Sequence, residues 1–141
     1  MKATAKMVTE SSAEGKNPPE YNLEKRLIHF AVSILELADG LPDTRAGAHI
    51  AGQIIGSGTS PAPNYGEARG AQSRRDFLHK MSVCLKELRE TFVWLRIIEL
   101  RRLAQDVGKL KWPLDECDQL ISIFVTSIKT TKSNARPTKV R

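Results

Sequence analysis

Hydroxyl side chains are concentrated in one short segment, which reads GSGTSPAPNYGEARG over residues 56–70. A serine or threonine nucleophile needs a positioned base, and the candidates are three histidines on three different predicted helices: His29, His49 and His79. Gly56 and Gly58 do not form a phosphate loop, because they follow a predicted helix and no Gly-Lys-Ser/Thr completes the motif. We therefore predict no catalytic residue here and no enzyme activity.

The histidines and cysteines also lack the spacing of metal ligands. The sequence has no C-x-x-C or H-x-x-x-H pair, and no Glu-x-x-His of the type found in di-iron bundles. Cys84 and Cys117 fall within apolar helical patterns, which is typical of small, reduced core residues. We predict no metal site and no cofactor.

Basic residues offer the other candidate chemistry, the binding of phosphates. The 141-residue chain has a net charge of +6, and residues 129–141 carry five basic groups and no acid. This end is either a solvated tail or a contact for phosphates and acidic surfaces. Residues 69–111 hold a second excess, with 11 basic and 5 acidic groups. The candidate nucleic-acid-binding residues lie in this second region: Arg74, Arg75, Lys86, Arg89 and Arg96.

On a helix, the last four of these residues lie within about 80° of one another, with Arg74 at the edge. Such a stripe is suited to track a phosphate backbone of RNA or DNA. No zinc finger, homeodomain or aromatic RNA-binding motif accompanies it, so we predict no reading of base sequence. The alternative is that these cations pair with acids such as Glu24 and Glu36, across helices or subunits.

Four amphipathic segments must position these residues. Apolar side chains recur three and four residues apart over about 22–39, 44–57, 73–103 and 114–132. Asn22 and either Asp43 or Thr44 are the predicted N-caps of the first two helices, and Gly108 and Pro113 are predicted to separate the last two. Short connections predict an all-α, antiparallel up-and-down four-helix bundle over 21–132. We expect a disordered lead at 1–20 and a basic tail at 133–141.

The third predicted helix carries more apolar surface than one core needs. Six of its apolar residues lie off the core-facing stripe, and we interpret them as an interface: Leu78, Val83, Val93, Trp94, Ile97 and Leu100. No apolar run approaches the roughly 20 residues that span a bilayer, and the first 20 residues lack the apolar core of a secretory signal. We therefore expect a cytoplasmic protein without membrane contact.

Several motifs, in order and in spacing, resemble the signature of a known family. They are S-G-T-S at 57–60, N-Y-x-E-A at 64–68, D-F-x-x-K at 76–80 and L-K-E-x-x-E-T-x-x-W-L at 85–95. This pattern is similar to that of the bacterial rRNA intervening-sequence protein family, also called the four helix bundle protein family, some of whose members are encoded within insertions in large-subunit rRNA genes. The resemblance covers about 20–132.

The resemblance implies a structural role for six motif residues: Ser57, Gly58, Thr59, Ser60, Asn64 and Glu67. It implies that helix two is kinked near 58–64 and continues to about Gly70. Pro61, Pro63 and Gly66 depart from the family pattern, so a turn that restarts the helix near Pro63 or Asn64 is the alternative. The resemblance also implies a homopentamer. A distant relative, the accessory variability determinant of diversity-generating retroelements, works beside a reverse transcriptase and nucleic acid.

These observations together predict a noncatalytic, oligomeric four-helix-bundle protein, with RNA or DNA as a candidate partner. The alternative is a protein-binding adaptor without nucleic-acid contact, for example a partner of a reverse transcriptase or another enzyme. Fold does not determine function, so the two hypotheses must be separated at the level of the site.

Overall fold

The computed structural model describes residues 19–135, and every regular element in that range is a helix. This confirms the predicted all-α fold. The predicted lead and most of the predicted basic tail lie outside the described residues. The five helices are α1 (Pro19–Asp39), α2 (Arg45–Thr59), α3 (Pro61–Arg69), α4 (Arg74–Arg101) and α5 (Gly108–Ala135).

Side-chain caps explain where two of these helices begin. Thr44 Oγ1 accepts a hydrogen bond from the backbone N of Gly47 at 3.0 Å, and Ser73 Oγ accepts one from Asp76 N at 3.0 Å. Each cap satisfies one of the N–H groups that the first turn leaves without an intrahelical acceptor. The prediction that Asn22 caps the first helix is wrong, because α1 begins at Pro19, whose ring presets the helical φ.

The last helix begins six residues before the predicted start. Asp106 Oδ1 accepts from Gly108 N at 2.9 Å, so the cap precedes Gly108 and the glycine joins the helix. Pro113 was predicted to separate the last two helices together with Gly108, and it instead lies inside the second turn of α5. Only one intrahelical hydrogen bond is lost there, and the proline ring is buried, which offsets that loss.

Helix two is divided at Ser60 into α2 and α3. Pro61 and Pro63 have no N–H to donate to the preceding turn, yet Ser60 keeps a right-handed helical conformation and Asn64 N bonds to Ser60 O at 3.2 Å. The chain therefore continues along an interrupted helix to Arg69, as the resemblance implied. The alternative restart near Pro63 or Asn64 is wrong, because proline at the first helical position needs no donor.

Packing places the helices at four corners, with α2 and α3 together forming one of them. Helix α1 packs against α2, α3 and α5, and α4 packs against the same three elements. Within residues 19–135, α1 and α4 do not contact each other, so they occupy opposite corners. Connections of four to six residues between corners favour antiparallel neighbours. None of these helices has an apolar stretch long enough to span a bilayer.

The core consists of the predicted apolar stripes. Phe30, Ile34, Leu88, Leu95 and Phe124 are almost completely buried. Tyr65 of α3 reaches across the core and meets Phe124 edge to face, with ring centroids 6.0 Å apart. The core thus connects corners whose backbones do not touch.

A partly buried ion pair joins α1 to α5. Arg26 donates from Nε and Nη2 to the two carboxylate oxygens of Glu116, each at 2.9 Å, and Nη2 also reaches Gln119 Oε1 at 3.2 Å. Glu116 is nearly buried, so its charge depends on this two-pronged partner. The hydrogen bonds to Glu116 raise the pKa of Arg26, while partial burial acts in the opposite direction. The pair fixes how α1 is aligned along α5.

Gly58 allows α1 to approach α2 closely. A Cβ atom at this position would lie 2.8 Å from both Cγ1 and Cγ2 of Ile34, and Gly58 is buried. Because Ile34 is branched and completely buried, it has little room to move. The glycine is therefore required by the contact between the two helices.

We predict that Gly58→Ala lowers the free energy of unfolding by about 1–3 kcal/mol, because the added methyl group overpacks the Ile34 contact. Gly56→Ala is the matched control on the same helix, since a Cβ there meets nothing within 4 Å. Alanine at that position should stabilise the protein by about 0.5–1 kcal/mol. Urea unfolding of both variants measures the difference, and equal effects of the two substitutions would contradict the packing argument.

Candidate functional site

The outward face of α4 brings the predicted basic residues together. Arg74, Arg75, Lys86 and Arg89 are exposed, and they form no ion pair in the described part of the chain. From residue 75 to residue 89 the helix rises about 21 Å. Since each DNA strand carries one charge per roughly 3.4 Å of axis, this length is sufficient to meet several successive phosphates.

Arg96, the fifth candidate, has a different environment. Its Nη1 lies 3.0 Å from Glu99 Oε1, one turn along the same helix. Glu24, one of the acids named in the alternative interpretation, pairs with Arg69 of α3 at 2.9 Å and not with a cation of α4. Of the five candidates, Arg74, Arg75, Lys86 and Arg89 are therefore free to meet a phosphate.

Beyond these cations, the same face of α4 becomes apolar. Val93, Ile97 and Leu100 are 57%, 37% and 73% exposed, and all three belong to the predicted interface set. Of the other members, Leu78 and Trp94 pack against the core, and Trp94 Nε1 donates to Glu90 at 3.2 Å. We call Val93, Ile97 and Leu100 the α4 stripe.

A second exposed apolar stripe lies on α1. Ile28, Val32 and Leu35 are 42–47% exposed and recur four and three residues apart, and we call them the α1 stripe. The sequence analysis did not predict this stripe, because only the core-facing apolar residues of the first helix were assigned a role. Plotting all apolar residues of 22–39 on a wheel would have revealed it.

A groove of about 900 Å³ lies between the C-terminal half of α4 and the N-terminal half of α5. Its floor is apolar and includes Phe92, Ile98, Leu110 and Leu114. The rim is charged, with side chains of both signs: Arg96, Glu99, Arg102, Lys111, Asp115 and Asp118. No local sequence pattern predicts this groove, since its lining comes from two helices and from the 102–107 connection between them.

Arg102 on this rim has a strained backbone. Its φ of 56° and ψ of 47° are left-handed, and it ends α4 with its N–H directed to the carbonyl oxygens of Ile98 and Glu99. Glycine is the usual residue at such a position, and an L side chain there costs about 1–2 kcal/mol. The chain thus keeps a cation at the mouth of the groove in a conformation that favours glycine.

The S-G-T-S segment is structural in its contacts. Ser57 is buried with Thr91 of α4, and the two hydroxyl oxygens lie 2.8 Å apart. Thr91 Oγ1 is also 2.8 Å from the Glu87 carbonyl oxygen, so Thr91 donates to that carbonyl while Ser57 donates to Thr91. Thr59 bonds to the carbonyl of Ile55 within its own helix.

The second motif segment ties α3 to its surroundings. Asn64 Nδ2 donates to Ser60 O at 3.0 Å and contacts Ser60 Oγ at 2.9 Å, which bridges the break in helix two. Glu67 is exposed and forms an ion pair with Lys80 of α4. These contacts account for the polarity of Asn64 and Glu67.

The nucleophile and metal-ligand candidates do not assemble into a site. His29, His49 and His79 lie on α1, α2 and α4, and His49 packs edge to face with Trp94 at 6.1 Å. Burial raises the pKa of the Cys84 and Cys117 thiols to about 12, so both stay protonated at neutral pH. Across residues 19–135, no three of the His, Cys, Asp or Glu side chains group as metal ligands.

Comparison with known proteins gives two findings. The model of the family described as "23S rRNA-intervening sequence protein" matches residues 20–124. A crystal structure of a protein with unknown function from the S23 ribosomal protein family of Bacteroides thetaiotaomicron VPI-5482 is 29% identical, with a TM-score of 0.69. The alignment covers 78% of this chain and 97% of that one. No curated protein matches.

We predict that the Ser57–Thr91 contact stabilises the helix packing and that its two members are coupled. Thr91→Val should lower the free energy of unfolding by about 1–3 kcal/mol, because the Ser57 hydroxyl then stays buried without its acceptor. Adding Ser57→Ala removes that stranded group, so the double variant should lose less than the sum of the single losses. Urea unfolding of the wild type and the three variants gives the coupling; strictly additive losses would show that the hydroxyls act independently.

Proposed function

Because the chain belongs to the 23S rRNA-intervening sequence protein family, we propose that it is a noncatalytic scaffold. It associates with copies of itself and binds phosphates of RNA or DNA through Arg74, Arg75, Lys86 and Arg89 of α4. The proposal extends beyond family membership, since the related crystal structure is of a protein with unknown function.

Self-association is supported by two apolar surfaces on different sides of the bundle. The α1 stripe places three apolar side chains in water, and the groove between α4 and α5 has an apolar floor. Exposed apolar patches of this kind mark interaction surfaces. A contact between different faces of identical subunits closes into a ring or grows as a filament, and a ring of five is the assembly that the family resemblance favours.

Phosphate binding is supported by one observation above all: Arg74, Arg75, Lys86 and Arg89 are exposed on one face of α4 and have no acidic partner in the described residues. Neutralising phosphates releases condensed counterions, so such binding weakens steeply with added salt. Since the face is a helix surface with few aromatic residues, it suits contacts to the backbone rather than to base edges.

A noncatalytic role agrees with the chemistry of the candidate groups. Both thiols are buried and protonated, and the three histidines are dispersed over three helices. No nucleophile is hydrogen-bonded to a histidine in residues 19–135, which removes the usual activation of serine or threonine. Free, buried cysteines also suit the reducing cytoplasm, which is the location that we propose.

The alternative function, a protein-binding adaptor, is favoured by the α4 stripe. Val93, Ile97 and Leu100 continue the line of the cations along the same helix face. A partner segment with acidic and apolar residues would find complements to both on that face. A reverse transcriptase or another enzyme would be a partner of this kind.

We predict that replacing Arg74, Arg75, Lys86 and Arg89 together by Gln abolishes salt-sensitive binding to a single-stranded RNA and to a duplex DNA. The circular dichroism spectrum should not change, because these side chains are exposed and have no ion pair to lose. The measurement is a fluorescence anisotropy titration at several salt concentrations. The slope of log K against log salt should fall by as much as about 0.7–0.9 for each phosphate contact removed.

Arg45→Gln with Lys109→Gln is the matched control, because both side chains are exposed, on α2 and α5, and lie outside the α4 face. The control should retain binding. If the four-site variant binds as the wild type does, the α4 face is not the phosphate contact. If the wild type binds no nucleic acid, the adaptor hypothesis replaces the proposal.

A further inference from the structure

We propose that the groove between α4 and α5 receives the α1 stripe of a second copy of this chain. The inference deepens the proposed self-association and rests on it: it specifies which two faces meet and what sets their register. The observations that support it are the shape of the two surfaces, their directions and their charges.

The two surfaces match in shape and polarity. Ile28, Val32 and Leu35 follow the spacing i, i+4 and i+7, which is how an amphipathic helix anchors in a groove. The groove offers an apolar floor, with Phe92 and Leu114 partly exposed. Its volume of about 900 Å³ is sufficient for a row of aliphatic side chains.

The two surfaces also face different sides of the bundle. Glu24, beside the α1 stripe, pairs with Arg69 of α3, whereas Arg26, on another side of α1, pairs with Glu116 of α5. The α1 stripe is therefore turned away from α5, while the groove is on the α5 side of α4. A copy thus presents the stripe to one neighbour and the groove to another, which is a head-to-tail contact.

Charges at the two surfaces are in register along the bundle axis. Glu36 and Asp39 are exposed at the C-terminal end of α1, beyond the stripe. Glu36 lines a small cavity together with residues 104–106 and Lys109, so this end of α1 lies level with the α4–α5 connection. Arg102 and Lys111 border the groove at that same level.

A rotation about an axis parallel to the helices keeps each residue at its own level. The acids of one copy would then meet Arg102 and Lys111 of the next without any shift along the axis. This pairing explains why the chain keeps an arginine at position 102 in spite of the strain of its left-handed backbone. Complementary charge fixes register and orientation, while the apolar contact supplies most of the affinity.

The test uses two variants, each of which damages one surface. Val32→Glu places a charge in the α1 stripe, and Val107→Glu with Lys111→Glu places charges on the rim of the groove. All three positions are exposed, so the fold should survive, and circular dichroism verifies this. Each variant alone should self-associate at least roughly tenfold more weakly than the wild type in light scattering.

Mixing the two variants is the decisive step. Each keeps the surface that the other has lost, so an equimolar mixture should form a 1:1 heterodimer and nothing larger. Two charge reversals provide an independent test: Glu36→Lys with Asp39→Lys, and Arg102→Glu with Lys111→Glu, should each weaken assembly. A chain with all four reversals should regain it. A mixture that stays monomeric would overturn the pairing. So would a chain with all four charge reversals that does not regain assembly.

Val93→Glu is the matched control, because Val93 is an exposed apolar residue of α4 that does not line the groove. It should leave assembly unchanged. If Val93→Glu breaks the assembly while the groove variant does not, the α4 stripe is the surface that binds the second copy. The groove proposal then fails, while the proposed self-association stands. If the wild type itself is monomeric, the proposed self-association fails first.

Discussion

The fold depends on the close contact between Gly58 and Ile34. It lets α2 lie against α1 just before the chain reaches Ser60, where helix two is interrupted. Two prolines follow in the first turn of α3, where a helix needs no N–H donors, and Asn64 binds back to Ser60 across the break. The segment can therefore fill one corner of the bundle with two helices.

That corner sets the position of both outward faces. Helices α2 and α3 lie between α1 and α4, holding them at opposite corners, and the buried Ser57–Thr91 contact ties the break to the middle of α4. On the other side, the Arg26–Glu116 pair aligns α1 with α5. The α1 stripe, the groove and the cations of α4 are thus displayed by a frame that these two contacts hold together. The proposed self-association and phosphate binding both use these exposed surfaces.

The sequence predicted the elements whose signals are local. Periodic apolar residues placed all four corners, and Thr44, one of the two predicted caps of helix two, is the residue that caps it. The start of α5 was wrong because Asp106 provides a cap that outweighs the usual reading of Gly108 and Pro113 as breakers. Helix propensity is a weak guide to where a helix begins when a capping hydrogen bond and the burial of a proline ring oppose it.

The candidate site was predicted less completely, since it is formed by relations between helices. The cations of α4 could be placed on one face from their spacing. The ion pair between Arg96 and Glu99, which removes Arg96 from the free cations, depends on side-chain geometry. Thr91 lies within the core stripe of α4, and its partner Ser57 is 34 residues away, so no local pattern connects them. The groove likewise needs two helices and the strained Arg102 between them.

Light scattering after size exclusion of the wild-type protein tests the central claim most directly, with and without nuclease, at low and at high salt. The account predicts an oligomer of constant protein mass in all four conditions, which releases nucleic acid on nuclease treatment or in high salt. A monomer in every condition would contradict it. An oligomer that carries no nucleic acid in any condition would retain the scaffold and remove its proposed ligand.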